Sequence, residues 1–227
     1  MSVVYQVQPK KGRGFNLSLN MKLILINVVL TTIFTILIFI NSSLIDSIAI
    51  NPSNILQGKY LWTFLTSMFM HGGIFHLFAN MISLFFIGSL VEKILGEKRY
   101  LYFYLISGFV ASIFFILSGL IDVNSLNAYA VGASGAIFGL VGLLVLLTPN
   151  LPVYVMFIPI PIKMKYAGPG MLFVLWLISS APLVFGGQSL PIGNWAHFGG
   201  LVAGVVYGIY LKKKFKNKTR AISRHFS

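Results

Sequence analysis

Side chains able to do chemistry are scarce in this chain, and the scarcity narrows the reading. There is no cysteine, which excludes thiolate catalysis, disulfides and cysteine-ligated metals. Acids number four (Asp46, Glu92, Glu97 and Asp122), as do histidines. Against that background the segment Gly132-Ala133-Ser134-Gly135 has the make-up of a nucleophile turn. Glycines around a serine allow a sharp bend and close approach of a substrate backbone. The same small residues, with Gly139, also serve plain helix packing, so the segment alone decides little.

A second group changes the balance. His197, Gly200, Leu201, Gly204 and Gly208 recur at i, i+3, i+4, i+7 and i+11, which is one face of a helix. Glycines four residues apart let that face approach another helix closely. If that neighbour begins at Ser134, the imidazole of His197 stands beside the serine hydroxyl. It would take the hydroxyl proton as general base and return it to a leaving amine. None of the four acids falls where it could orient the imidazole, so the expected unit is a pair, without a third carboxylate member. Phe138, one turn after Ser134, is placed to pack under the ring or simply to fill the core. His76 and Asn80 share a helix face at i, i+4. With the backbone N–H of Ser134 they could converge on one substrate oxygen, or else bond a neighbouring helix.

The elements that must hold these residues are membrane helices. Charged residues make up 9% of the chain and hydrophobic ones 57%, whereas soluble domains carry roughly 25% charged residues. Residues 100–121, 123–162 and 166–211 contain no Asp, Glu, Lys or Arg. A bilayer core of about 30 Å takes about 20 apolar residues per helix, so these stretches hold one, one and two spans. Six spans are expected, at about 23–40, 74–91, 100–120, 134–147, 169–184 and 194–211. Thr31, Thr32 and Thr35 with Asn27 give the first a polar stripe facing other helices. Residues 41–70 form a structured outer connection at the interface, with Tyr60 and Trp62 at headgroup level. Of the 17 Lys and Arg residues, all but Lys59 then fall on one side, which puts both termini in the cytoplasm. The first apolar run reads as a retained span rather than a cleaved signal.

The domain division that follows is a basic segment 1–22, a membrane unit 23–211 and a basic tail 212–227. The net charge of +13 tracks the positive-inside pattern and anionic lipid, not a nucleic-acid groove. The fourth span is short. Fourteen residues make about 21 Å of helix, so with its C-terminal end at the cytoplasmic boundary Ser134 lies roughly 10 Å below the outer surface. Residues 124–133 then enter the membrane as non-helical chain, lining a cavity or buried in protein.

Taken in order, His71-x4-His76-x3-Asn80, Gly132-Ala133-Ser134-Gly135 and Ala196-His197-x2-Gly200-x3-Gly204 resemble the rhomboid family of intramembrane serine proteases. The resemblance runs from about Trp62 to Leu211. It implies an all-α, six-transmembrane-helix bundle, a Ser134–His197 dyad, and oxyanion help from His76 and Asn80. It also implies single-span membrane proteins as substrates, no cofactor, and a supporting role for His71. Gly132, Gly135, Phe138, Gly200 and Gly204 form the supporting set. The location implied is the plasma membrane of a prokaryote, with the site opening outward. Two residues depart from the family pattern: Trp62-Thr63 stands where Trp-Arg is usual, and Phe138 where tyrosine is frequent. The competing reading is an inactive relative that binds transmembrane helices as a chaperone or degradation adaptor. A metalloprotease or an ion-coupled transporter lacks the acids it would need.

Overall fold

The structure is a computed structural model and describes residues 17–122, 125–154, 160–184 and 193–226. Helix α1 (Leu19–Ile40) starts where Ser18 Oγ accepts from the Met21 N–H. Helix α2 covers Ile74–Leu95 and contains one wide π turn at Leu84–Gly88. Gly96, at φ 80°, ends α2 and begins α3 (Glu97–Ile121), a reversal within one residue that a side chain would resist. Then come α4 (Ser134–Leu147), α5 (Met164–Val184), α6 (Asn194–Lys214) and α7 (Lys216–His225).

Helices α1, α2 and α3 are each long and apolar enough to cross a bilayer, and α4 and Met164–Ser179 are shorter apolar helices. This is a helical, multi-pass membrane protein. Its core is α4, which is apolar on every side and buried along almost its whole length between α3 and α6. The outer surface of α1, by contrast, shows Val29, Ile36 and Phe39 to the surroundings, as a lipid-facing helix must.

Several boundaries differ from the sequence expectation. Helix α2 runs on to Leu95, because Glu92 is buried in its last turn. The Glu92 carboxyl accepts the backbone N–H of Leu19 at 2.8 Å and of Asn20 at 3.3 Å, occupying the open N-terminus of α1. Asn20 joins this knot, donating to Leu84 O and Ser89 Oγ and accepting from Tyr100 Oη at 2.5 Å. Helix α5 begins at Met164, not near Pro169. A short antiparallel pairing of Pro152–Val153 with Ile162–Lys163 delivers the chain there, and the Met164 and Lys165 N–H groups bond to Leu151 O and Pro149 O. Helix α6 continues through Lys212–Lys214, since cations at a helix C-terminus are favourable rather than disruptive. On α1 the buried polar face is Asn20, Asn27 and Thr31, while Thr32 and Thr35 are exposed.

The connection between α1 and α2 is ordered by side-chain hydrogen bonds to backbone and to one another. Its short helices are Ile45–Ile48, Pro52–Leu56 and Thr63–Thr66. Trp62 Nε1 donates to Ser47 O, Thr66 Oγ1 to Ile48 O, and Asn54 Nδ2 to the Asp46 carboxyl, which also accepts from Tyr129 Oη. Thr63, standing where an arginine is usual, is buried and donates to Tyr60 O at 2.7 Å. An isolated bridge between Ile50 and Ala130 ties this connection to the segment that leads into α4.

Candidate active site

Residues 125–133 run as turns and extended chain to the N-terminus of α4. Gly132 has φ +122°, a conformation that other residues resist, and its N–H donates to Ser67 O at 2.8 Å. Ala133 follows in helical backbone, and Ser134 is the first residue of α4. No side chain caps this helix, and its first N–H groups, Ser134 among them, lie at the positive end of the helix dipole.

Opposite stands α6. Gly200 and Gly204 meet Gly135, Gly139 and Gly142 of α4 backbone to backbone. A Cβ built on Gly200 would overlap the Gly135 carbonyl oxygen, and one on Gly204 the Gly139 carbonyl oxygen. That approach carries His197, three residues ahead of Gly200, to the serine. His197 Nε2 lies 2.8 Å from Ser134 Oγ. The His197 ring is buried and stacks on Phe138, with centroids 4.6 Å apart and planes inclined by 23°. Its Nδ1 is buried without a hydrogen-bond partner, and no carboxyl group among the described residues touches it. Packing therefore sets the ring's orientation.

His76 covers the other side of the turn. A Cβ added to Gly132 would sit 2.9 Å from both Cε1 and Nε2 of His76 and 3.7 Å from Ser134 Oγ, so only glycine leaves the imidazole this close to the serine. Asn80 is buried one turn below. Its Nδ2 donates to His76 O at 2.8 Å and its Oδ1 has no partner, so one amide proton remains to be placed.

His71 is fully buried and acts as a strut. Its Nε2 accepts the Ala133 N–H at 3.4 Å, which puts the ring proton on Nδ1, 3.0 Å from Thr31 Oγ1. Thr31 in turn donates to Phe69 O. One histidine thus joins α1, the α1–α2 connection and the residue before Ser134, and its ring meets that of His76 edge-on at 5.2 Å. The structure brings His71, His76, Asn80, Ser134 and His197 into one neighbourhood. Among the described residues no three His, Asp or Glu side chains gather as a metal set would.

Two members were missed from the sequence. In the sequence Thr31 is one member of a polar stripe, and only the structure makes it the partner of His71. Asn194, on the same face as His197 at i−3, donates to Ser179 Oγ and so ties α5 to the start of α6. An asparagine inside an apolar run, one turn before a histidine, was the available signal.

Residues 58–214 match the Rhomboid domain. RHOMBOID-like protein 2 of Arabidopsis thaliana is 40% identical over 152 residues, 66% of this chain and 42% of that protein. RHOMBOID-like protein 1 of the same plant is 36% identical over 162 residues, 70% of this chain and 37% of its own length. Another similar plant protein, at 32% identity over 65% of this chain and 37% of its own length, is named Inactive RHOMBOID-like protein 8. The chain spans less than half the length of these curated relatives. RHOMBOID-like protein 6 of Arabidopsis and Rhomboid protein 1 of Saccharomyces cerevisiae are both named mitochondrial, so the relatives lend no support to the prokaryotic plasma membrane expected above.

Proposed function

This chain belongs to the rhomboid family, and from that membership we propose that it is a serine endopeptidase cleaving single-span membrane proteins in or near their membrane segment. The observation that carries the proposal is the 2.8 Å contact of Ser134 Oγ with His197 Nε2, on a ring held by Phe138. The serine hydroxyl donates to Nε2, so the ring proton sits on Nδ1. As Oγ attacks the scissile carbonyl carbon, Nε2 takes the hydroxyl proton, and the carbonyl oxygen becomes an oxyanion. The imidazolium so formed faces the π-cloud of Phe138, which favours a cation and stands in for the missing carboxylate. The oxyanion would meet the N–H groups at the start of α4, a ring N–H of His76 and the second amide proton of Asn80. Collapse expels the amine, which receives the proton from Nε2. Water activated by the same imidazole then hydrolyses the acyl-serine.

We read six crossings with both termini on the cytoplasmic side, a basic cytoplasmic segment at each end, and the site near the opposite face. The cationic C-terminus of α6 and the clustering of the other Lys and Arg residues support that topology.

The test is cleavage of a single-span substrate with a small-residue-rich segment, in liposomes, by wild type, Ser134→Ala and His197→Ala. Chelator-insensitive cleavage abolished by both substitutions is the expected result. A folded wild type that retains the substrate uncut would overturn the protease reading and favour the helix-binding adaptor.

A further inference from the structure

A second site lies at the far end of the molecule from Ser134, where α3 starts and α6 ends. Arg99, Tyr207, Tyr210, Leu211, Lys214 and Phe215 line a cleft of about 150 Å³. Its walls are rings: Tyr207 stacks on Phe103 at 4.7 Å and lies 6.1 Å from Tyr210, their planes 17° apart. Its cations are held over those rings. The Arg99 guanidinium sits 5.9 Å from the Phe215 centroid, and Lys214 Nζ lies 5.7 Å from the same ring. Lys214 Nζ also donates to Tyr210 Oη at 2.8 Å.

The acids nearest in sequence do not neutralise this pair. Glu92 is committed to the N-terminus of α1, and Glu97, two residues from Arg99 on a helix, points away from its face. The floor adds further donors. Helix α7 starts at Lys216, directly after the lining residue Phe215, and no side chain caps its N-terminus. Two positioned cations, a tyrosine hydroxyl and an uncapped ten-residue helix all favour one oxyanion of the phosphate kind.

The surroundings decide which phosphate. One turn toward the middle of α6 from Tyr210, Val206 is exposed and apolar, and Tyr210 is half-exposed beneath it. Tyrosines with lysines and an arginine at the end of a membrane helix mark headgroup depth. We propose that this cleft binds the phosphate of an anionic glycerophospholipid, with one acyl chain lying along Val206. The site is independent of the hydrolytic reading, since no residue is shared. Its consequence would be mechanical: a headgroup clasped between Arg99 and Lys214 pins the inner ends of α3 and α6, the two helices that flank α4.

Native mass spectrometry of the detergent-purified full chain tests this, titrating phosphatidylglycerol, phosphatidylcholine of the same acyl chains, and soluble glycerol phosphate. One phosphatidylglycerol should remain bound at concentrations where phosphatidylcholine does not, and glycerol phosphate should not displace it. Removing a cation at a membrane surface weakens lipid attraction about fivefold. Arg99→Gln with Lys214→Gln should therefore weaken phosphatidylglycerol binding at least tenfold. Lys218→Gln with Arg224→Gln, which removes the same charge from exposed positions on α7, should change it less than threefold. Equal losses in both pairs would mean diffuse charge attraction and sink the site. Equal retention of phosphatidylcholine by wild type would do the same without any variant. Displacement by glycerol phosphate would make it a small-anion site and overturn the lipid assignment.

Discussion

Gly200→Ala is the most informative single change, because it adds one methyl group whose nearest neighbours are backbone atoms and not the reacting side chains. The new Cβ would overlap the carbonyl oxygen of Gly135 and lie close to the Gly139 nitrogen, so it meets backbone on both counts. Neither atom can swing aside as a side chain end would. Carbon in ordinary contact needs roughly 3.5 Å, so α4 and α6 must separate locally by roughly 1.5 Å. Ser134 is one residue before Gly135, and His197 is three before Gly200. The 2.8 Å contact between them lies directly on the wedge and should open by a similar amount. Overpacking of this kind costs about 1–3 kcal/mol of stability. Misplacing a catalytic pair by about 1 Å costs on the order of a hundredfold in rate.

The assay is kcat and KM on a fluorogenic membrane substrate in liposomes, with thermal unfolding measured alongside. Gly208→Ala is the matched control. It belongs to the same glycine row, but its Cβ would meet only the Leu146 side chain, no nearer than 3.0 Å, a far milder contact than the backbone overlap at Gly200. Gly200→Ala should lose about a hundredfold in kcat with KM little changed, and Gly208→Ala less than threefold. If Gly200→Ala keeps the wild-type kcat and stability, helix approach does not set the geometry, and the account of how His197 reaches Ser134 fails.

Three further outcomes follow from the same contacts. Phe138→Leu removes the stacked ring and should lower kcat about tenfold, consistent with a desolvated cation–π contribution of about 1–2 kcal/mol, while Phe138→Tyr should retain the wild-type rate. Asn80→Ala should cost on the order of a hundredfold in kcat if its second amide proton reaches the oxyanion; a loss under threefold with lowered stability would confine Asn80 to its bond with His76 O. Glu92→Gln presents an amide N–H₂ to the Leu19 and Asn20 donors and should cost about 1–3 kcal/mol in thermal unfolding; because the site lies at the other end of α2, kcat should stay within about threefold, and a larger fall would place Glu92 in the activity.

The placement of Ser134 was legible because α4 announces itself at both ends. Glycines precede it, Thr148-Pro149-Asn150 stop it, and everything between is apolar, so the fourteen-residue length could be read directly. The glycine row of α6 was legible for a similar reason, since a four-residue repeat of one residue type has a single helical interpretation. Helix ends set by distant partners were not. The extension of α2 depends on Glu92 finding two N–H groups seventy residues away, and the start of α5 depends on a hairpin, with Pro169 a misleading start signal.

By itself the sequence determined the solvent and the periodicity. Long uncharged runs require a bilayer, clustered cations require an orientation, and residues one or two turns apart must share a face. These are properties of neighbours along the chain, and helical geometry converts them directly into space. What tertiary structure alone decided is which faces meet. That Thr31 steadies His71, that His71 in turn receives the Ala133 N–H, and that the His76 ring fills the space a Gly132 side chain would need are all contacts between segments far apart in sequence. A hydrogen-bond donor in an apolar segment must find an acceptor, but the chain alone does not say which one. The choice is made only when the helices pack and each polar group takes the partner left within reach.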